Sequence, residues 1–344
     1  MGRKGIILTL AYPDTIVRGP KEWYAPFMRF VGMGTKNYIR AGHAALVLID
    51  ENTGDLAYYD FGRYIVPEPY GRVRCRETDP ELTLPLQAEV VDGMVKNMDD
   101  ILVYLATHPK ITHGDGKMLA SLCCAIDYDK ANTFISELQS RKAIRYAAFI
   151  KKASNCARFV TDVLIASVTD EAIRKNLEKS KRFTPSTVGN VLLGNTEKLV
   201  YDVSEKGVVS EFKGSQKSEN LRCFLDRLKD HKPNLEGNLI PKTVAGLSEE
   251  AQWLSGIGSG AWYLLDKTES ELNFRFRRVS PYGTIDCDAD FSVDNNNFCF
   301  DSEFRFLPFS NCKSFQIEQN STVFNFNRVI ALKDNKVLQV NGNS

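Results

Sequence analysis

A chain of 344 residues, 43% hydrophobic and 25% charged, is a folded globular protein long enough for two domains with separate cores, and it is not collagenous, mucin-like or wholly disordered. Its 44 Lys and Arg against 43 Asp and Glu leave a net charge of +1, which gives no sequence-independent pull toward nucleic acid or anionic lipid. No apolar run approaches the roughly 20 residues of a membrane span, so neither a nucleic-acid partner nor a spanning segment is expected.

From the N-terminus, basic residues precede Ile6–Leu10, a run too short for a secretion signal and without a small-residue cleavage site. It predicts a first strand over 6–12. Eight cysteines without C-x-x-C spacing suit reduced thiols in a cytoplasm. Gly32-Met33-Gly34-Thr35-Lys36 lacks phosphate-loop spacing and reads as a turn. Residues 43–50 and 55–61 follow as two strands of a hairpin. Helical periodicity marks 86–106, 130–140, 156–168 and 170–180, with a strand at 144–150 between them. His108 and His113 flank Pro109 in a loop without ligand-spaced neighbours and read as surface histidines. The adjacent Cys123 and Cys124 read as structural.

The polar stretch 203–250, broken by Pro233 and Pro241 around a short helix at 220–229, suits a connector. Beyond it the period becomes two: Leu272, Phe274 and Phe276 alternate with polar residues, as do Ile285, Cys287, Ala289, Phe291 and Val293. The expected architecture is α+β over 1–202, a linker over 203–250, and a small antiparallel β barrel or sandwich over 251–344. Asp286, Asp288 and Asp290 lack the glycine of a calcium loop and read as a solvated strand face. Gly256–Ala261 is followed by a strand, unlike a dinucleotide fingerprint. Exposed Arg275, Arg277 and Arg278 are expected to offer charge to an anionic group.

Two segments carry chemistry. In the hairpin, Gly42-His43 opens the first strand; symmetric closure through Glu51-Asn52-Thr53-Gly54 sets Ala45 opposite Asp60. His43 and Asp60 then become diagonal neighbours on one face, about 7–8 Å apart at Cα. A slip of one residue would substitute Tyr59. In the second segment, Ser154 or Asn155 caps a helix whose first turn holds Cys156. There the helix dipole and free backbone N–H groups favour a thiolate and can hold an oxyanion. Tyr12 and Asp14 read first as a strand end and the turn at Pro13; the alternative is that they border the same cleft, where the Tyr12 hydroxyl could assist an oxyanion.

Gly-His before an apolar strand, a polar residue on the next strand, and Asn155-Cys156-x-x-Phe159-Val160 at a later helix start resemble the circularly permuted branch of NlpC-type, papain-like cysteine hydrolases. The resemblance covers about 5–195, including Tyr58–Gly62 and Thr184–Asn190. The whole chain, with Gly256–Trp262, also resembles a bacterial family of the Bacteroidetes that joins this fold to a β-rich tail. The resemblance implies Cys156 as nucleophile, His43 as base and then acid, and Asp60 as the orienting third residue. It implies acyl transfer or hydrolysis of an amide, ester or thioester from a peptide, lipid or other acyl substrate, as in thiol proteases, with no metal or organic cofactor. The alternative is an inactive papain-like binding module. In either case the β domain is expected to recognise substrate or a protein partner.

Overall fold

The computed structural model describes residues 2–19, 22, 27, 30, 32–35, 37–231, 240–241 and 243–329. Lys36, Pro233 and the expected β-domain residues 330–344 lie outside the described residues. The architecture is mixed α/β, with two large antiparallel sheets.

The first sheet uses β1 (Lys4–Tyr12), β4 (His43–Asp50), β5 (Leu56–Gly62), β6 (Tyr70–Arg74), β9 (Met118–Asp127), β10 (Ile144–Arg145), β11 (Tyr201–Val203) and β12 (Val209–Glu211). Their order is β10-β6-β5-β4-β1-β9-β11-β12. Two small ribbons pair β2 (Ile16–Arg18) with β3 (Tyr38–Arg40) and β7 (Val90–Val91) with β8 (Met94–Val95). β4 is apolar almost throughout and buried along its whole length, as a strand covered on both faces must be. Helix α1 (Met98–Thr107) covers one face, setting Ile101, Leu102 and Leu105 against Leu8, Leu10, Ala45 and Val47. A short helix, α2 (Pro109–Thr112), follows it. On the other face lie α3 (Tyr128–Ser140) and α4 (Cys156–Ser167), with Phe159, Val160 and Val163 against Ile7, Ala44, Leu46 and Leu48. Beyond α4 come α5 (Glu171–Ser180), α6 (Thr187–Leu193) and α7 (Gln216–Phe224). Asn190 of α6 ties into α4, accepting from the Thr161 hydroxyl (2.7 Å) and donating to the Ala157 carbonyl (2.7 Å).

The second sheet comprises β13 (Gln252–Gly256), β14 (Ser259–Lys267), β15 (Asn273–Val279), β16 (Ile285–Val293), β17 (Arg305–Leu307), β18 (Ser314–Gln319) and β19 (Thr322–Arg328). It runs β13-β14-β15-β16-β19-β18-β17 and nearly closes into a barrel. The Gln252 side chain joins its ends, donating to the Phe304 carbonyl (2.9 Å) and accepting from the Phe306 amide (2.9 Å). Inward positions of the period-two strands supply a core of phenylalanines, among them Phe274, Phe276, Phe291, Phe315 and Phe326.

Several elements differ from the periodicity reading. Residues 86–97 are not helical: Asp92 and Gly93, both at positive φ, turn β7 into β8 in the manner of a two-residue hairpin. The strand expected over 144–150 ends at Arg145: beyond it the Ala147 amide donates to the Ser154 carbonyl (3.0 Å), and the Ala148 and Ile150 carbonyls serve a buried arginine described below. β9, which carries Cys123 and Cys124, was not anticipated. The short helix expected at 220–229 runs instead over Gln216–Phe224, with Ser215 as N-cap, its side chain accepting from the Ser218 amide in a capping box. Within the stretch read as a connector, Val203 and β12 still belong to the first sheet.

The three arginines expected to be exposed are engaged. Arg275 pairs with Asp288 (2.7 Å) and Arg277 with Asp266 (2.9 Å). Arg278 is buried and reaches Asp286 (2.8 Å) in the barrel, and Asp79 (3.1 Å) and Glu81 (3.0 Å) beside the first sheet. Removing one partner of such a buried network leaves the others uncompensated. Arg278→Ala is expected to lower stability by about 3–5 kcal/mol, read by urea unfolding of the full chain.

Candidate active site

β4 and β5 pair in the expected register, with Ala45 opposite Asp60. Tyr59 packs on the opposite face with the α4 residues. Entry into β4 depends on Gly42, at φ +74. A Cβ there would meet Thr187 Oγ1 at 2.9 Å and the Tyr12 carbonyl at 3.0 Å, so glycine alone fits without displacement. His43 follows at once and is buried.

Asp60 is wholly buried and receives bonds from four side chains. His43 Nε2–H donates to Oδ2 at 3.2 Å. The Tyr64 hydroxyl donates to the same oxygen at 3.0 Å, and the Tyr58 hydroxyl lies 3.3 Å from it. Arg74, directly across the ladder on β6, grips both oxygens: Nε to Oδ1 at 2.9 Å and Nη2 to Oδ2 at 2.6 Å. Burial pushes this carboxyl up, but the Arg74 charge and the hydrogen bonds of His43 and Arg74 outweigh it and hold it well below the usual carboxylate range. Gly62 permits the arrangement, since a Cβ there would strike the Tyr64 ring at 2.4 Å.

Cys156 arrives from the other side of the sheet on the first turn of α4. Asn155 is the N-cap, its Oδ1 accepting from the Arg158 amide at 2.9 Å. Arg158 turns back and donates to the carbonyls of Ala148 (2.6 Å), Ile150 (2.7 Å) and Ala153 (2.8 Å), which fixes the loop before the cysteine. Thiol and imidazole interact directly at the end of the sheet. Burial pushes the thiol up, yet the hydrogen bond and charge of His43, with the backbone N–H groups of Ala44 and Ala157, bring it below the ordinary thiol value. Burial also opposes the imidazolium, but Asp60 and Cys156 raise His43 to about 9. With Nε2 engaged by Asp60, Nδ1 is the nitrogen left for the thiol proton.

Tyr146 was not anticipated. Its hydroxyl reaches the same thiol, its ring stacks on Phe61 at 5.9 Å, and the Arg63 guanidinium lies 4.6 Å above it. Tyr12 is no oxyanion donor: its hydroxyl points into the core and donates to the Leu105 carbonyl at 3.3 Å. His113 is not a surface residue but lines the cleft beside Tyr64; burial, then the Arg74 charge, lower it to about 3. Arg74 and Tyr58 were legible in principle, since Tyr70-Gly71-Arg72-Val73-Arg74 alternates as a strand and Tyr58 lies two residues before Asp60. Arg158 and Tyr146 carried no such signal.

Two cavities meet at the Cys156–His43 pair. One, of about 640 Å³, is lined by His43, His113, Arg63 and Asp115, with Ile257 and Gly258 from the barrel. The other, of about 260 Å³, is lined by Cys156, Gly42, Tyr146 and mostly apolar side chains, with Arg18 shared between the two. Among the described residues no group of three or more His, Cys, Asp or Glu is placed to hold a metal, and no helix is long and apolar enough to cross a membrane.

Residues 7–173, which include His43, Asp60 and Cys156, match the family described as type VI secretion system effector TseH-like. Residues 251–329 match the DUF6695 C-terminal domain family. A crystal structure of the type VI secretion system effector TseH aligns with a TM-score of 0.38 at 16% identity, over 62% of this chain and 100% of that one. No curated protein matches the chain.

The paired shifts have a defined sign. A thiolate–imidazolium pair exists from the depressed thiol pKa up to about 9, where His43 loses its proton. Iodoacetamide is therefore expected to alkylate Cys156 at a pH below the ordinary thiol range, read by peptide mass. In His43→Ala only burial and the backbone N–H groups remain, and the onset should move above the ordinary thiol range. Asp60→Asn should slow labelling at neutral pH and, by leaving Arg74 buried and unpaired, lower stability by about 3–5 kcal/mol.

Proposed function

We propose that the protein is a cysteine-nucleophile hydrolase or acyltransferase of papain-like, NlpC-type architecture, working through Cys156, His43 and Asp60. The observation that carries this reading is the contact of a depressed thiol at a helix start with an imidazole that a buried carboxylate orients, where two cavities join. The effector-family match over 7–173 supports it by spanning all three residues.

In the proposed reaction the Cys156 thiolate attacks a carbonyl carbon, forming an S–C bond as the carbonyl electron pair moves to oxygen. Free backbone N–H groups of the first turn of α4 hold that oxyanion. The Tyr146 hydroxyl, already beside the sulfur, is positioned to donate as well. The tetrahedral species collapses with cleavage of the bond to the leaving group, which takes the proton from the His43 imidazolium. His43 then removes a proton from water or another acceptor, which attacks the thioester and releases the thiolate. Asp60 stays ionised throughout and holds the ring. The barrel contributes the Ile257–Gly258 turn to the cleft wall, which suits a role in substrate recognition.

The test is hydrolysis of p-nitrophenyl acetate and of acetyl thioesters by the full chain. Cys156→Ala should abolish it, and His43→Ala should lower kcat/KM by about 10²–10⁴. Tyr146→Phe should lower kcat by about 10²-fold with little change in KM, as loss of one oxyanion donor does. Full activity in Cys156→Ala would refute the assignment.

A further inference from the structure

The two cavities differ in chemistry, and the reaction assigns each to one side of the scissile bond. The leaving group must lie where His43 can protonate it, because the proton it needs is on that ring. The larger cavity includes His43 but not Cys156. Its wall carries Asp14, Arg18, Arg40, Arg63, His113 and Asp115, a polar and charged environment. The acyl group, bonded to sulfur in the intermediate, must extend from Cys156 away from His43. The smaller cavity includes Cys156 but not His43. Its wall is mostly apolar, with Val17, Ile39, Ala41, Phe149, Pro185 and Phe224, although Arg18 and Asn155 also reach it; the Tyr146 ring lies between the two spaces.

From this we infer that the enzyme selects an acyl group with an apolar body, alkyl or aromatic, joined to a polar leaving group. The inference rests on the cysteine hydrolase reading above and adds the substrate class. An apolar cavity of about 150 Å³ accepts benzene, so about 260 Å³ beside the sulfur holds a larger group than that. A charged or strongly hydrated acyl side chain would lose its water there for few free polar partners, since Arg18 already pairs with Glu68 (3.1 Å) and Asn155 and Ser186 already cap α4 and α6. The walls come from β2, β3, α7 and the loops around Ala148 and Pro185, and Arg158 fixes the Ala148 loop through its carbonyls. The Ala148 side of the space is thus a loop held in place by hydrogen bonds.

The experiment is a series of p-nitrophenyl esters, acetate, butyrate, hexanoate and octanoate, below their aggregation limits. p-Nitrophenyl succinate serves as the charged comparison, with acylation of Cys156 read by intact mass. The expected result is a rise in kcat/KM of about tenfold for every two methylenes until the cavity is full, with succinate no better than acetate. Ala148→Trp, which fills the cavity, should lower the octanoate-to-acetate ratio by at least tenfold. Iodoacetamide labelling of each protein separates the two readings. Normal rapid labelling with a flat or inverted chain-length order, or with succinate preferred, would overturn the apolar acyl site and leave the cysteine reading standing. Slow labelling near the ordinary thiol pKa, with no ester acylating Cys156, would overturn both.

Discussion

The buried pair of Arg74 and Asp60 is the contact on which the rest of the site depends. A carboxylate with no exposure would ordinarily take up a proton. Here a bidentate guanidinium across the ladder, two tyrosine hydroxyls and the imidazole together keep it ionised. Its charge then raises His43, and the imidazolium in turn depresses Cys156. The sequence of effects runs from a buried arginine through Asp60 and His43 to the Cys156 thiol. Neutral Asn in place of Asp60 would still orient the ring but would strand the arginine.

The same electrostatics reach the barrel. Arg74 approaches Glu81 at 4.0 Å, Glu81 and Asp79 meet Arg278 of β15, and Asp79 also binds Arg72 at 2.6 Å. Alternating charges thus run from Asp60 to the second sheet, all buried but for the part-exposed Glu81, so that an unpaired member is costly. Backbone contacts reinforce the junction: Ile257 donates to the Arg63 carbonyl (3.0 Å), and Ile65, inserted into the barrel core, donates to Ser259 Oγ (3.0 Å). Because Arg63 and Tyr64 sit in this joint, the barrel braces one wall of the cleft.

The site also depends on how the sheet ends. His43 and Asp60 share the face covered by α1, whereas Cys156 belongs to the helix on the opposite face. They meet because Gly42 lets the chain turn into β4 at the point where α4 begins. A helix start supplies unpaired N–H groups, and a strand start supplies a side chain free of a preceding neighbour. Their junction brings the Cys156 thiol, the His43 imidazole and the free N–H groups of the helix start together and leaves separate space on either side of the thiol.

The sequence by itself determined what local periodicity and turn chemistry can determine. A four-residue loop of turn formers set the β4–β5 register, and with it the diagonal of His43 and Asp60. An Asn-Cys at a helix start set the thiol on the first turn. Alternating phenylalanines set the antiparallel barrel. Tertiary structure alone decided which distant groups surround those residues. Arg74 meets Asp60 only through pairing with β6, Tyr146 lies near Cys156 through the bridge of its segment with Ser154, and Arg278 is buried where the two sheets join. These contacts follow from burial and long-range pairing, which draw together residues whose separation in the chain carries no period.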